Sequence, residues 1–203
     1  MNPYASPLAS LRRFMRPGSA EAEQCELCGA ALGPSHPHLV ELARRRLTCA
    51  CDACAVLFSS QAAGTYRRVP QEVELLPDFS LTDVQWQGLG PPINLAFFMQ
   101  SSQAGCVQAF YPSPAGATEA APPLDAWEEI VTDNPVLGEL EPDVEALLVN
   151  RLGKAPEYYR LGIDRCYELV GLLRTHWRGF SGGDAVWQEI GRFFSTLKDQ
   201  AHA

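Results

Sequence analysis

The chain has 203 residues, 46% hydrophobic, 20% charged and 9% aromatic, with a formal net charge of −8. A chain of this length buries most of the surface it exposes when unfolded, so its composition fits one or two globular domains and excludes disordered and fibrous classes. No apolar run reaches the ~18 residues of a bilayer-spanning helix; the longest, Ile93–Met99, is broken by Asn94.

The first 20 residues hold Arg12, Arg13, Arg16, three prolines and a short stripe of Leu8, Leu11, Phe14 and Met15. The stripe suits one or two helical turns against a partner or the protein's own core. With no hydrophobic segment of signal-peptide length, a cytoplasmic location is expected. Seven cysteines follow, at 25, 28, 49, 51, 54, 106 and 166. In a reducing compartment an odd count with one tight group points to metal or redox chemistry rather than a disulfide frame.

Cys25-Glu-Leu-Cys28-Gly29 and Cys51-Asp-Ala-Cys54 are two C-x2-C pairs. Two intervening residues let one backbone turn offer both sulfurs to the same ion at ~2.3 Å, and four thiolates complete a structural zinc tetrahedron. Gly29 tolerates the positive φ of such a knuckle. Between the pairs, His38–Leu42 and Arg45–Cys49 read as a hairpin, and Asp52–Ser60 as a helix whose first turn carries Cys54. Knuckle, hairpin and helix resemble the treble-clef zinc finger, with the zinc ribbon as its neighbour, over about forty residues. Alternation along Leu47–Cys51 turns Cys49 to the face of Cys51, where it is either a spare ligand or a small thiol filling space. His36 and His38 lie close by, but four cysteines complete the shell without them. Arg44, Arg45 and Arg46 are placed to offset a centre that would take the formal charge from −8 to about −10; phosphate contact is their other use. Iron is the alternative to Zn2+. Rubredoxins also use two knuckles, but each is followed by glycine, whereas Cys54 runs into Ala55-Val-Leu-Phe58, a helix-like continuation.

Beyond residue 64, Thr65–Val69, Glu72–Leu76 and Val84–Gly88 read as short strands. Ile93–Gln100 and Cys106–Tyr111 read as a hairpin whose first strand is buried on both faces. Pro112–Pro123 reads as a loop, Asp125–Thr132 as a short helix capped by Asp125, and Ala146–Leu152 and Tyr158–Ile163 as strands. Asp164 is the expected cap of an amphipathic helix bearing Cys166, Leu169, Val170, Leu173 and Trp177 on one face. Ser181 is the expected cap of a second, with Val186, Ile190, Phe193, Phe194 and Leu197. The fold class expected is α+β: a four-cysteine module at 21–64 after a tail at 1–20, then a domain at 65–203 whose antiparallel sheet carries its helices on one side.

Catalysis finds little support. A four-cysteine shell leaves no position for water, Cys106 and Cys166 read as core, and His176 suits a helix C-terminus. Arg178-Gly-Phe-Ser-Gly-Gly183 lacks the lysine of a phosphate-binding loop and reads as a helix–helix connection. Arg151, Arg160 and Arg165 would allow a small-anion pocket. Charge is segregated: residues 71–150 carry 13 Asp and Glu and no Lys or Arg. Such a segment repels phosphates, so nucleic acid is not the expected partner; it is a solvated face or a docking surface for a basic protein.

Cys25-Glu-Leu-Cys-Gly29, Leu47-Thr-Cys-Ala-Cys-Asp-Ala-Cys54, Tyr111-Pro-Ser-Pro-Ala-Gly-Ala-Thr118, Ile163-Asp-Arg-Cys-Tyr-Glu-Leu-Val-Gly171 and Trp177-Arg-Gly-Phe-Ser-Gly-Gly183 resemble a bacterial family without assigned activity, often encoded beside NiFe-hydrogenase genes. The resemblance implies an accessory or maturation role with a hydrogenase subunit or maturation factor as partner. It carries over Cys25, Cys28, Cys51 and Cys54 as metal ligands and no catalytic residue. A zinc-bearing adaptor without enzymatic activity is the favoured reading. The alternatives are a rubredoxin-like iron carrier and a small-ligand-binding or enzymatic α+β domain with a zinc appendage.

Overall fold

The computed structural model describes residues 23–60, 64–179 and 182–202. The stripe Leu8–Met15 and the expected cap Ser181 lie outside the described residues. The architecture is α+β. A small antiparallel sheet contains β1 (His38–Glu41), β2 (Arg46–Cys49) and β3 (Tyr66–Arg68) in the order β2-β1-β3, and α1 (Asp52–Ser59) follows its hairpin. Arg45, at φ 50°, makes the left-handed turn that reverses the chain between β1 and β2.

The larger sheet is antiparallel throughout, in the order β4-β9-β8-β5-β6-β7. Its strands are β4 (Val73–Leu75), β5 (Leu95–Ser101), β6 (Cys106–Ser113), β7 (Gly116–Ala120), β8 (Glu145–Asn150) and β9 (Glu157–Gly162). Four helices accompany it: α2 (Asp83–Gly88), α3 (Leu124–Asp133), α4 (Ile163–His176) and α5 (Gly183–Ala201). The near-continuous apolar run of β5 reflects its central position, with both faces covered. On one face Leu95, Phe97 and Met99 meet Leu169 and Leu173 of α4 and Ile190, Phe193 and Leu197 of α5. On the other, Ala96 and Phe98 meet Trp86 of α2 and Trp127 and Ile130 of α3. The helices therefore cover both sides of the sheet, not one. A central strand apolar on both faces requires two covering layers.

Other expectations are corrected by local chemistry. Val84–Gly88 is helical because Thr82 and Gln85 form a reciprocal capping box, the Thr82 hydroxyl accepting from Gln85 N at 3.2 Å and the Gln85 side chain accepting from Thr82 N at 3.0 Å. Pro112–Pro123 is not a loop throughout: β6 runs to Ser113 and β7 returns from Gly116. Pro112 lies on β6 beyond its last pair with β5, Phe97–Phe110, where the strand is paired with β7 alone and the missing N–H breaks no ladder to β5. Neither expected aspartate is a cap. Pro123 precedes α3 and Gly162 precedes α4, leaving Asp125 and Asp164 in first turns, where a carboxylate faces the positive helix end. Gly182, at φ 86°, stands before α5.

Val40 and Val69 enter the core beneath α4 and α5, so the small sheet leans on the large one. Arg67 Nη1 donates to Pro142 O at 2.9 Å across the same junction. At Gly162 a Cβ would lie 2.6 Å from Val69 Cγ1, so only glycine lets the chain after β3 pass over the start of α4. No helix among the described residues is long and apolar enough to cross a membrane.

Phe97 is fully buried and stacks on Phe110 at 4.9 Å between ring centroids. Phe97→Ala should destabilise the protein by about 3–5 kcal/mol, read from urea unfolding followed by tryptophan fluorescence. A cost below about 1 kcal/mol would show that the face under α4 and α5 is not packed as described.

Candidate metal centre

The first cysteine pair is presented by a tight turn. Cys25 N donates to Ala30 O and Gly29 N donates to Cys25 O, each at 2.8 Å, with Gly29 at φ 76°. Without a Cβ at residue 29 the chain takes this left-handed step at little cost. The second pair comes from a helix start: Cys51 is the N-cap of α1 and Cys54 lies in its first turn. Glu26 N donates to Cys49 O at 2.9 Å and pins the knuckle to the end of β2. Knuckle, hairpin and helix thus occur in the treble-clef order, with β3 added to the hairpin.

One sulfur from each of Cys25, Cys28, Cys51 and Cys54 lies within 4.8 Å of the others, and Cys28 Sγ and Cys51 Sγ are 3.7 Å apart. A tetrahedron with metal–sulfur bonds of ~2.3 Å has edges of ~3.8 Å, so the donors fit a thiolate-bound ion with little adjustment. All four cysteines are free thiols. Cys25 and Cys54 are buried with Leu39, Ala50 and Ala55, while Cys28 is exposed at the rim.

The thiols are electrostatically unequal. Burial pushes the Cys25 thiol up, but backbone N–H groups of Cys51, Leu27 and Cys28 outweigh it and bring its pKa to about 6. Burial, and then competition from the three neighbouring thiols, holds Cys54 at about 12. Four adjacent thiolates repel one another, and a divalent cation is what relieves that repulsion.

The remaining candidates disperse. Cys49 stands outside the four-sulfur group, half-buried at the end of β2 beside His36 and His38. Arg44, Arg45 and Arg46 turn to carboxylates instead of sulfur: Arg44 to Glu41 at 3.3 Å, Arg45 to Glu119 at 3.4 Å and Arg46 to Glu26 at 2.8 Å. Arg46 still reaches the knuckle indirectly, since Glu26 Oε1 accepts from Cys49 N at 2.9 Å. Cys166 is fully buried core, its thiol pushed well up by burial. Cys106 is only half-buried, because it opens β6 at the sheet margin. Arg151, Arg160 and Arg165 do not form a shared anion pocket. Arg151 pairs with Asp83, Arg160 with Glu145 at 2.8 Å and Arg165 with Glu168 at 2.9 Å, each neutralised by its own partner. The glycine-rich connection closes tightly, Arg178 N donating to Gly182 O at 3.0 Å.

No curated protein and no solved structure is matched by the chain. Residues 24–201 match a family described as a family of unknown function (DUF5947), and that span takes in the cysteine group, both sheets and α1 to α5. The chain belongs to this family of unknown function.

Proposed function

We propose that the chain is a metal-binding accessory protein whose four-cysteine centre holds a structural Zn2+ and whose larger sheet and helices present a surface to a protein partner. The observation that carries this reading is the convergence of four sulfurs from two short segments within 4.8 Å, a shell closed by protein ligands alone. A closed shell leaves no site for a reacting water, so the ion stiffens structure rather than performing hydrolysis. Zinc is favoured over iron by the second pair, which comes from the N-terminus of α1 and not from a second glycine-bearing knuckle.

The partner we propose carries a basic face. Asp125, Glu128 and Glu129 are exposed on α3, and no Lys or Arg interrupts the chain between Arg68 and Arg151. Opposite charge on the partner would speed encounter and fix orientation, with a strong dependence on salt. A hydrogenase subunit or maturation factor as that partner rests on the motif resemblance, and affinity capture from the native host tests it. Recovery of hydrogenase components supports that assignment; their consistent absence removes it.

Elemental analysis of the purified protein should find zinc, and the sample should be colourless; visible thiolate-to-iron absorption would overturn the zinc assignment. Cys28→Ser should release the ion from the four-cysteine centre and lose amide protection across residues 23–60 in hydrogen exchange, while β5 and β8 stay protected. Because the ligands bind as thiolates, acidification returns protons to them and affinity must fall as pH falls. Zinc release followed with a chromogenic chelator should therefore grow steadily from about pH 7 to pH 4. Release independent of pH would exclude thiolate ligation.

A further inference from the structure

A second group of donors lies beside the four-cysteine centre and shares no ligand with it. One donor atom from each of His36, His38 and Cys49 lies within 4.8 Å of the others. His38 and Cys49 face each other across the hairpin, paired in the β1–β2 register. His36 reaches them from the segment before β1, its ring centroid 4.8 Å from that of His38.

The two imidazoles are held in the form that a metal requires. His38 Nδ1 donates to Asp164 Oδ2 at 2.9 Å, and His36 Nδ1 donates to Gly33 O at 3.0 Å. A carboxylate and a carbonyl only accept, so Nδ1 carries a proton in both rings and, in the neutral imidazole, Nε2 carries the lone pair. This is the outer-shell arrangement that orients metal-bound histidines and fixes their tautomer. His36 Nε2 has no hydrogen-bond partner, although its side chain keeps only 7% of its surface exposed. A buried lone pair without a donor is unfavourable unless something fills the position.

The three residues line one wall of a cleft of about 720 Å³, with Asp164, Arg165 and Gln71 among its other walls. We propose that His36, His38 and Cys49 form a second metal site, for a zinc-class divalent ion, with three protein ligands and a fourth position open to this cleft. Two imidazoles and one thiolate select zinc, cobalt or copper over magnesium or calcium, which take oxygen ligands. Three protein ligands with an exchangeable fourth position distinguish this site from its closed neighbour. Its fourth ligand is water or a small anion from the cleft. Asp164 is a positioning residue: it does not touch the ion but holds His38.

The test uses the full chain with its four-cysteine centre loaded. The protein is incubated with excess ZnCl2, desalted and assayed for metal, and in parallel titrated with CoCl2 while visible absorption is recorded. Wild type should retain about two ions per chain, His36→Ala and Cys49→Ala about one, and the cobalt spectrum of the second site should vanish in both variants. Asp164→Asn should keep the site but weaken cobalt binding about 10–100-fold. Circular dichroism identifies any variant that fails to fold, and Cys49→Ser then replaces it. Zinc-edge X-ray absorption gives an independent reading, with nitrogen scatterers present in wild type and absent in His36→Ala. One ion per chain in wild type, or a second ion retained in both His36→Ala and Cys49→Ala, overturns the proposal.

Discussion

Four sulfurs brought within bonding reach of one point place a single constraint on the front of the molecule. As thiols they are unequal: backbone N–H groups draw Cys25 down to about 6, while burial and then the neighbouring thiols push Cys54 up to about 12. The local elements are all arranged around this crowding. The knuckle at Gly29 and the start of α1 each bring two sulfurs to a common centre, and the hairpin of β1 and β2 carries the chain from one to the other. α1 buries Cys54 and Ala55 and sets Phe58 edge-on to Tyr66 of β3, while its Val56 and Leu57 are 60% and 58% exposed.

The larger sheet supplies what the cysteine centre lacks, an extensive apolar interior. Phe97 and Phe98 are adjacent on β5 and point to opposite layers, one towards α4 and α5 and the other towards Trp127 of α3. Burial on this scale is the main favourable term in folding. Val40 and Val69 extend the same interior under the small sheet. The position of the hairpin, and of His38 upon it, is therefore set partly by hydrophobic packing remote from any sulfur.

Most of the cysteine group was legible because its signal is local. The spacing of Cys25, Cys28, Cys51 and Cys54 names the four residues whose sulfurs converge, and the alternation around His38–Cys49 names the hairpin. The apolar periodicity of Cys166–Leu173 and Val186–Leu197 likewise marked α4 and α5, and the double-sided character of β5 was visible in its composition. What stayed hidden was non-local or hydroxyl-based. The helix at Asp83–Gly88 is decided by Thr82 and Gln85, which a reading weighted on Val84 and Trp86 passes over. The grouping of His36 with His38 and Cys49 was half visible, since a hairpin joining His38–Leu42 to Arg45–Cys49 puts His38 opposite Cys49; the approach of His36 and Asp164 depends on tertiary placement. The ion pairs of Arg151 and Arg160 were equally invisible, their partners lying 68 and 15 residues away.

The hydrogen bond from His38 to Asp164 spans 126 residues of sequence. Contacts that far apart close large loops and form only after the intervening chain has collapsed. During synthesis the cysteine segment leaves the ribosome early, while the helix that completes the adjacent cleft emerges more than a hundred residues later. On the proposed function, the sulfurs take up their ion well before His38 acquires its carboxylate anchor, whereas His36 is held from the outset by Gly33 three residues away.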